Sequence, residues 1–105
     1  MQPIFVYMTA SSAEEARRIG RALVEARLAA CANVIDHMTS FYWWQGRIEE
    51  GSEAVLIAKS TSGQLEALTA KVKSLHSYTV PCIVALGIEG GNKEFLDWIG
   101  AETRA

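Results

Sequence analysis

The sequence predicts an α+β fold: a four-stranded antiparallel sheet with two helices on one face and a further helix at the carboxy terminus. Three observations predict it. Short apolar runs rich in β-formers alternate with stretches of helical period in the order β-α-β-β-α-β. The two middle strands meet through the turn in "SFYWWQGRIEE" (40–50), and Asn92 then introduces one more helix near the end.

Each element has a local reason. Residues 4–8, "IFVYM", form an apolar run bounded by Pro3 and "TASS", as expected of a strand buried on both faces. Ser11 with Glu14, and Ser12 with Glu15, have capping-box spacing, in which hydroxyl and carboxylate satisfy the free amides of a helix start. Ala16, Ile19, Leu23 and Ala26 then recur at helical spacing, so an amphipathic helix is expected over about 12–27. From Ala30 to Trp44 the helical period disappears, and Gly46 supplies the positive φ of a tight reversal. "EAVLIAKS" (53–60) returns, making 31–60 one long central hairpin. Thr61 and Gln64 repeat the capping-box spacing before Leu65, Leu68, Val72 and Leu75. Pro81 ends the following loop, "CIVALGI" (82–88) reads as another buried strand, and Asn92 caps the last helix.

The hairpin is too long for its own globule. A strand from Asn33 to Trp44 spans about 40 Å at the usual rise, against a radius of gyration of about 13 Å and a diameter near 33 Å for a compact chain of this size. Four of the nine aromatic residues, Phe41, Tyr42, Trp43 and Trp44, sit at its tip. Burying roughly 300 Å² of that surface is worth on the order of 7 kcal/mol before association costs. The tip is therefore expected to be covered by another copy of the chain, as is the sheet face without helices.

Composition excludes several classes. The 105 residues suit a single domain, 1–105, that needs no disulfide or metal to hold its core. Twelve acidic and ten basic residues leave a net charge of -2, with no cationic excess for nucleic acid. No window has the length of a membrane span, and "MQPIFVYMTASS" lacks the features of a signal peptide, so neither a membrane partner nor export is expected and the cytoplasm is the expected compartment. Cys31 and Cys82, 51 positions apart, form no Cys-x-x-Cys or Cys/His cluster, which fits a reducing environment. There is no phosphate loop, no H-E-x-x-H and no G-x-S-x-G, so an enzyme is not expected. Glu49, Glu50 and Glu53 read as a charged exit from the turn.

The blocks "ALVEARLAACANVI", "SFYWWQGRIEE", "LIAKS" and "LHSYTVPCIVAL" together resemble the CutA-like divalent-cation tolerance proteins, in that family's order and spacing over nearly the whole chain. The resemblance implies a ferredoxin-like subunit, similar to the PII signalling proteins, that assembles as a homotrimer. It also implies binding of copper or another divalent metal. The family's first-strand Cys corresponds to Met8 and its loop His to His76, preceded here by Leu75 and followed by Ser77 in place of the family's Pro. Cys31 matches the family pattern in "LAAC".

The candidate metal ligands are therefore His76, Met8 and Cys31: a neutral imidazole, a thioether suited to Cu(I) and a thiolate. Each has a packing alternative, His76 as a helix-end cap and the two sulfurs as core fillers. His37 reads as a solvated strand residue, with alternation placing it opposite Asp36 and Met38. A second hypothesis is a PII-like interaction or small-ligand module using clefts between subunits, with Trp44, Lys59 and Glu89 as candidates for a stacking ring and two charges.

Overall fold

The computed structural model describes residues 1–103. Strand β1 (Pro3–Ala10) leads into helix α1 (Ala13–Glu25), and strands β2 (Cys31–Trp44) and β3 (Arg47–Thr61) form the hairpin. A short 3₁₀ turn over Ser62–Gln64 precedes α2 (Leu65–Leu75), followed by β4 (Ile83–Gly87) and α3 (Lys93–Glu102). The sheet order is β2-β3-β1-β4, with every neighbouring pair antiparallel. This is the expected ferredoxin-like βαββαβ sandwich with its extra carboxy-terminal helix.

The core lies between the sheet and the first two helices. Ile4, Val6, Met8 and Ala10 alternate inward from β1 and join Leu56 and Ala58 of β3, Ile19 and Leu23 of α1, and Leu68 and Val72 of α2. Register fixes the opposite face: Tyr7 pairs with Ile57 and Val84, and Phe5 with Lys59 and Leu86, so these residues point away from the helices. Neither β1 nor β4 is buried on both sides, as their apolar runs suggest; Val84 and Leu86 are about half exposed. The apolar residues there reflect a sheet face that neither α1 nor α2 covers. Thr61 shares the parity of that face, and its hydroxyl meets that of Thr103, so α3 crosses only one end of it.

Two local expectations change. Thr61 and Gln64 do not cap α2, because α3 claims both side chains: Gln64 Nε2 donates to Thr103 O at 2.7 Å, and Thr61 is 3.4 Å from the Thr103 hydroxyl. Alternation in β2 breaks at Asp36 and His37, where a bulge lies between Ile35 and Met38 and His37 takes φ 61° with its N–H on Asp36 Oδ1. By contrast, Ser12 caps α1, accepting from Glu15 N at 3.1 Å, and Asn92 caps α3, accepting from Glu94 N at 3.0 Å.

The overhang is present. The molecule measures 44 × 25 × 22 Å with a radius of gyration of 14.1 Å. β1 ends at Ala10 opposite Ala54, and beyond that point β2 and β3 continue as a two-stranded ribbon to the turn at Gln45–Gly46.

Candidate functional site

Where β1 stops, the loop joining α2 to β4 fills the space beside β3, and a cluster of polar side chains holds it there. Glu15, buried in the first turn of α1, accepts on Oε1 from Ser11 N and Ser11 Oγ, both at 2.9 Å, and on Oε2 from Ser77 N at 2.9 Å. Burial alone would raise the pKa of this carboxyl; the donors from Ser11 and Ser77 overcome that and lower it from 4.5 to about 2. Glu15 is thus a fixed anion that ties the loop to α1.

His76 follows α2, with its ring almost fully enclosed. Nδ1 accepts from Tyr78 N at 3.0 Å, which leaves Nε2 as the protonated nitrogen donating to Thr9 O at 2.7 Å. Both nitrogens are occupied in locking the loop to the end of β1. Tyr78, stacked at a tilt 4.7 Å from the His76 ring, donates its hydroxyl to Glu53 Oε2 at 2.8 Å. Burial first, and the bond to Glu53 second, push the phenol pKa up, so Tyr78 remains the hydrogen-bond donor.

A groove of about 650 Å³ opens between this loop and the ribbon. Ser40 through Trp44 form one wall, Ser77 to Val80 and Cys82 the other, and Thr9 and Glu53 also line it. Cys82 keeps its proton: burial, and then the Glu53 charge, raise its pKa above the ordinary value. Glu53 pairs with Met38, and Tyr42 with Glu49, so Tyr42 and Trp44 project from the same face as the Glu53 carboxylate.

The residues nominated from sequence are distributed unevenly around this groove. Met8 is buried on the helix-covered face, whereas Cys31, opposite Lys59, belongs to the open face and is partly exposed. One chain does not bring Met8, Cys31 and His76 into a single centre, and no three His, Cys, Asp or Glu side chains converge among the described residues. Trp44 lines the groove, but Lys59 stands at the other end of β3, about 40 Å along the strand by its rise. Its Nζ donates to Asn33 Oδ1 at 2.7 Å. Glu89 is exposed just beyond Ile88, whose N–H meets Pro3 O, at the same end as Lys59.

A model of the CutA1 divalent ion tolerance protein family matches residues 4–102. The chain belongs to this family. It is 50% identical over 95 residues to the divalent-cation tolerance protein CutA of Archaeoglobus fulgidus, covering 90% of this chain and 92% of that protein. Identity to the CutA of Thermus thermophilus is 50% over 98 residues, covering 93% and 95% of the two chains. The structure of the A. fulgidus protein, described as a periplasmic divalent cation tolerance protein, superposes with a TM-score of 0.94 at 47% identity, over 97% of this chain and 99% of that one. CutA1 of the psychrotrophic Shewanella sp. SIB1 reaches 0.95 at 32% identity, over 99% and 97%. No helix among the described residues of this CutA-family chain is long and apolar enough to cross a membrane.

The residues that build the groove are mostly ones the sequence presents under other roles. Glu15 reads as half of a capping box, Glu53 as a solubilising charge and Cys82 as core. Only the loop wall carried a signal, since Ser77, Tyr78 and Cys82 all lie in "LHSYTVPCIVAL", whereas Glu15 and Glu53 lie outside that block. What joins Glu15 to Ser77 and Glu53 to Tyr78 is the meeting of distant segments, which spacing does not record.

Proposed function

We propose that the chain, folded as a single domain, works as a homotrimer that binds divalent metal ions, copper foremost, and serves metal-ion tolerance by binding rather than catalysis. The observation that carries the assembly is the uncovered side of the molecule. Ile35, Val84 and Leu86 on the open sheet face, and Phe41 to Trp44 with Ile48 on the ribbon, are all between 46% and 73% exposed. A lone subunit rarely keeps such a patch, and three copies under closed cyclic symmetry would bury it.

Family membership supports the metal role, and Met8, Cys31 and His76 are its proposed donors. Because one chain keeps them apart, a centre using Cys31 draws its other donors from a neighbouring protomer. One using His76 needs the ring to release Thr9 O or Tyr78 N–H. Copper titration of His76→Ala, Cys31→Ser and Met8→Leu tests this: loss of stoichiometry or affinity identifies a donor, and unchanged binding in all three refutes the set. The two free thiols suit a reducing compartment, and we place the protein in the cytoplasm.

The groove favours a second reading, a PII-like trimeric module that senses a small ligand and binds metal incidentally. Trp44 belongs to the groove itself, and Lys59 and Glu89 would join it from another protomer. Thermal-shift screening of nucleotides, organic anions and metals separates the two readings, since only a bound ligand raises the melting temperature.

A further inference from the structure

Three-fold closure constrains what can cover the ribbon. In a cyclic trimer each interface joins two unlike patches of the chain, so the tip of one protomer needs a different surface on the next. The tip itself has two sides. Tyr42 and Trp44 share the face of Glu53, whereas Phe41 and Trp43, with Ile48 opposite Trp43, lie on the other side, in register with residues that the helices cover at the root. Phe41 and Trp43 are the two most exposed aromatic residues among those described. At their exposed fractions the four rings of the tip present roughly 70–180 Å² each. That is a large part of the about 800 Å² that each partner buries in a stable contact.

The other end of the molecule carries a matching surface. Ile99 is buried, Gln64 Nε2 donates to Thr103 O, and the Thr61 and Thr103 hydroxyls meet, so α3 is fixed across one end of the open sheet face. Phe95 and Trp98 nevertheless remain about two-fifths exposed, with ring centroids 5.4 Å apart. Outside the tip, the remaining exposed large apolar side chains belong to the open face (Ile35, Val84, Leu86), stand apart (Met1, Val24) or line the groove at the tip's own end (Val80). Phe95 and Trp98 thus form an exposed aromatic pair beside a face already assigned to a neighbouring copy.

One chain cannot bring the two surfaces together. Thr61, beside Thr103, is fourteen residues from Arg47 on β3, about 45 Å by strand rise. Phe95 is eight residues from Thr103 along α3, about 12 Å. More than about 20 Å therefore separates the pair from the tip of its own ribbon.

We propose that Phe95 and Trp98 of α3 are the docking surface for the ribbon tip of a neighbouring copy, so that protomers meet tip to tail around the ring. The proposal rests on the trimeric reading and names the two surfaces that meet. The same contact carries Lys59 and Glu89, which lie at the α3 end, toward Trp44 of the next protomer.

Cross-linking tests the contact without altering its rings. Arg47, next to Ile48, and Glu94, next to Phe95, are exposed and make no ion pair among the described residues. In a chain freed of its native thiols by Cys31→Ser and Cys82→Ser, Arg47→Cys and Glu94→Cys are introduced singly and together. Each protein is treated with a short bismaleimide and separated under denaturing conditions. The chain with both substitutions should give covalent dimers and trimers, and neither single substitution should link. Independently, Trp98→Ser should raise the concentration at which the trimer dissociates by at least about tenfold. Val24→Ser, at a similarly exposed residue of α1, should leave that concentration unchanged. Cross-linking still decides the matter if Trp98→Ser fails to fold.

A trimer that links through Arg47→Cys alone would show tip meeting tip and would overturn the proposal while leaving the assembly. So would a trimer that gives no link with both substitutions, or one whose dissociation Trp98→Ser leaves unchanged. A lone subunit in sedimentation would overturn the trimeric reading and the proposal together.

Discussion

From Ala54 to Ser60, every second residue of β3 is buried beneath the helices, whereas from Arg47 to Glu50, on the same strand, every residue is exposed. Both stretches pair with β2, and both carry residues that strands accept. What separates them is cover. The root lies between β1 and β2 with α1 and α2 above it; past Ala10 the ribbon has lost β1. A two-stranded ribbon alone is marginal in water, because its ladder buries too little apolar surface. Strand pairing therefore sets the register of both halves, while packing decides which half holds the subunit together and which is left for another surface.

The largest effect expected from that contrast is at the root. Leu56 is fully buried against the helices, so Leu56→Ala should cost about 2–5 kcal/mol, through lost transfer energy and the cavity left behind. Chemical denaturation of the variant checks this. A loss below about 1 kcal/mol would mean that the root is not the core.

Next comes the anchor that ties the loop to α1. The folded-state pKa of Glu15 lies below its unfolded value, so its contribution is complete above about pH 4.5 and is lost as pH falls toward about 2. The shift corresponds to about 3 kcal/mol. Stability measured from pH 6 down to pH 2 should fall more steeply for the unaltered protein than for Glu15→Gln, and parallel curves would contradict the assignment.

A smaller effect is expected at the seam between root and tip. Tyr78→Phe removes the hydrogen bond to Glu53 and should cost about 1–2 kcal/mol. At the far end, Trp43→Ser should change the stability of a single subunit by less than about 0.5 kcal/mol, because Trp43 is 73% exposed. Its effect should instead appear in assembly, as a shift toward lighter species on dilution.

The same contrast separates what could be read from the sequence from what could not. The order of elements, the caps at Ser12 and Asn92 and the overreach of the hairpin follow from local pattern and chain geometry. The bulge at Asp36–His37 does not, because strand alternation gives no warning of an inserted residue. Nor do the bonds from Ser77 to Glu15 and from Tyr78 to Glu53, which join positions far apart in the chain. The overturned cap at Thr61 and Gln64 shows the converse: a sound local motif gave way because α3 offered both side chains other partners. The candidate groove was legible only as a cluster of aromatic residues. Its second wall and its carboxylate emerge when the loop meets the ribbon.

Sedimentation equilibrium at micromolar concentration tests the role of the uncovered half most directly. A species of three times the 11.5 kDa chain mass is expected, with the tip indoles shielded from a soluble quencher. A single 11.5 kDa species with those indoles equally shielded would contradict it, because the ribbon would then find its cover within its own chain.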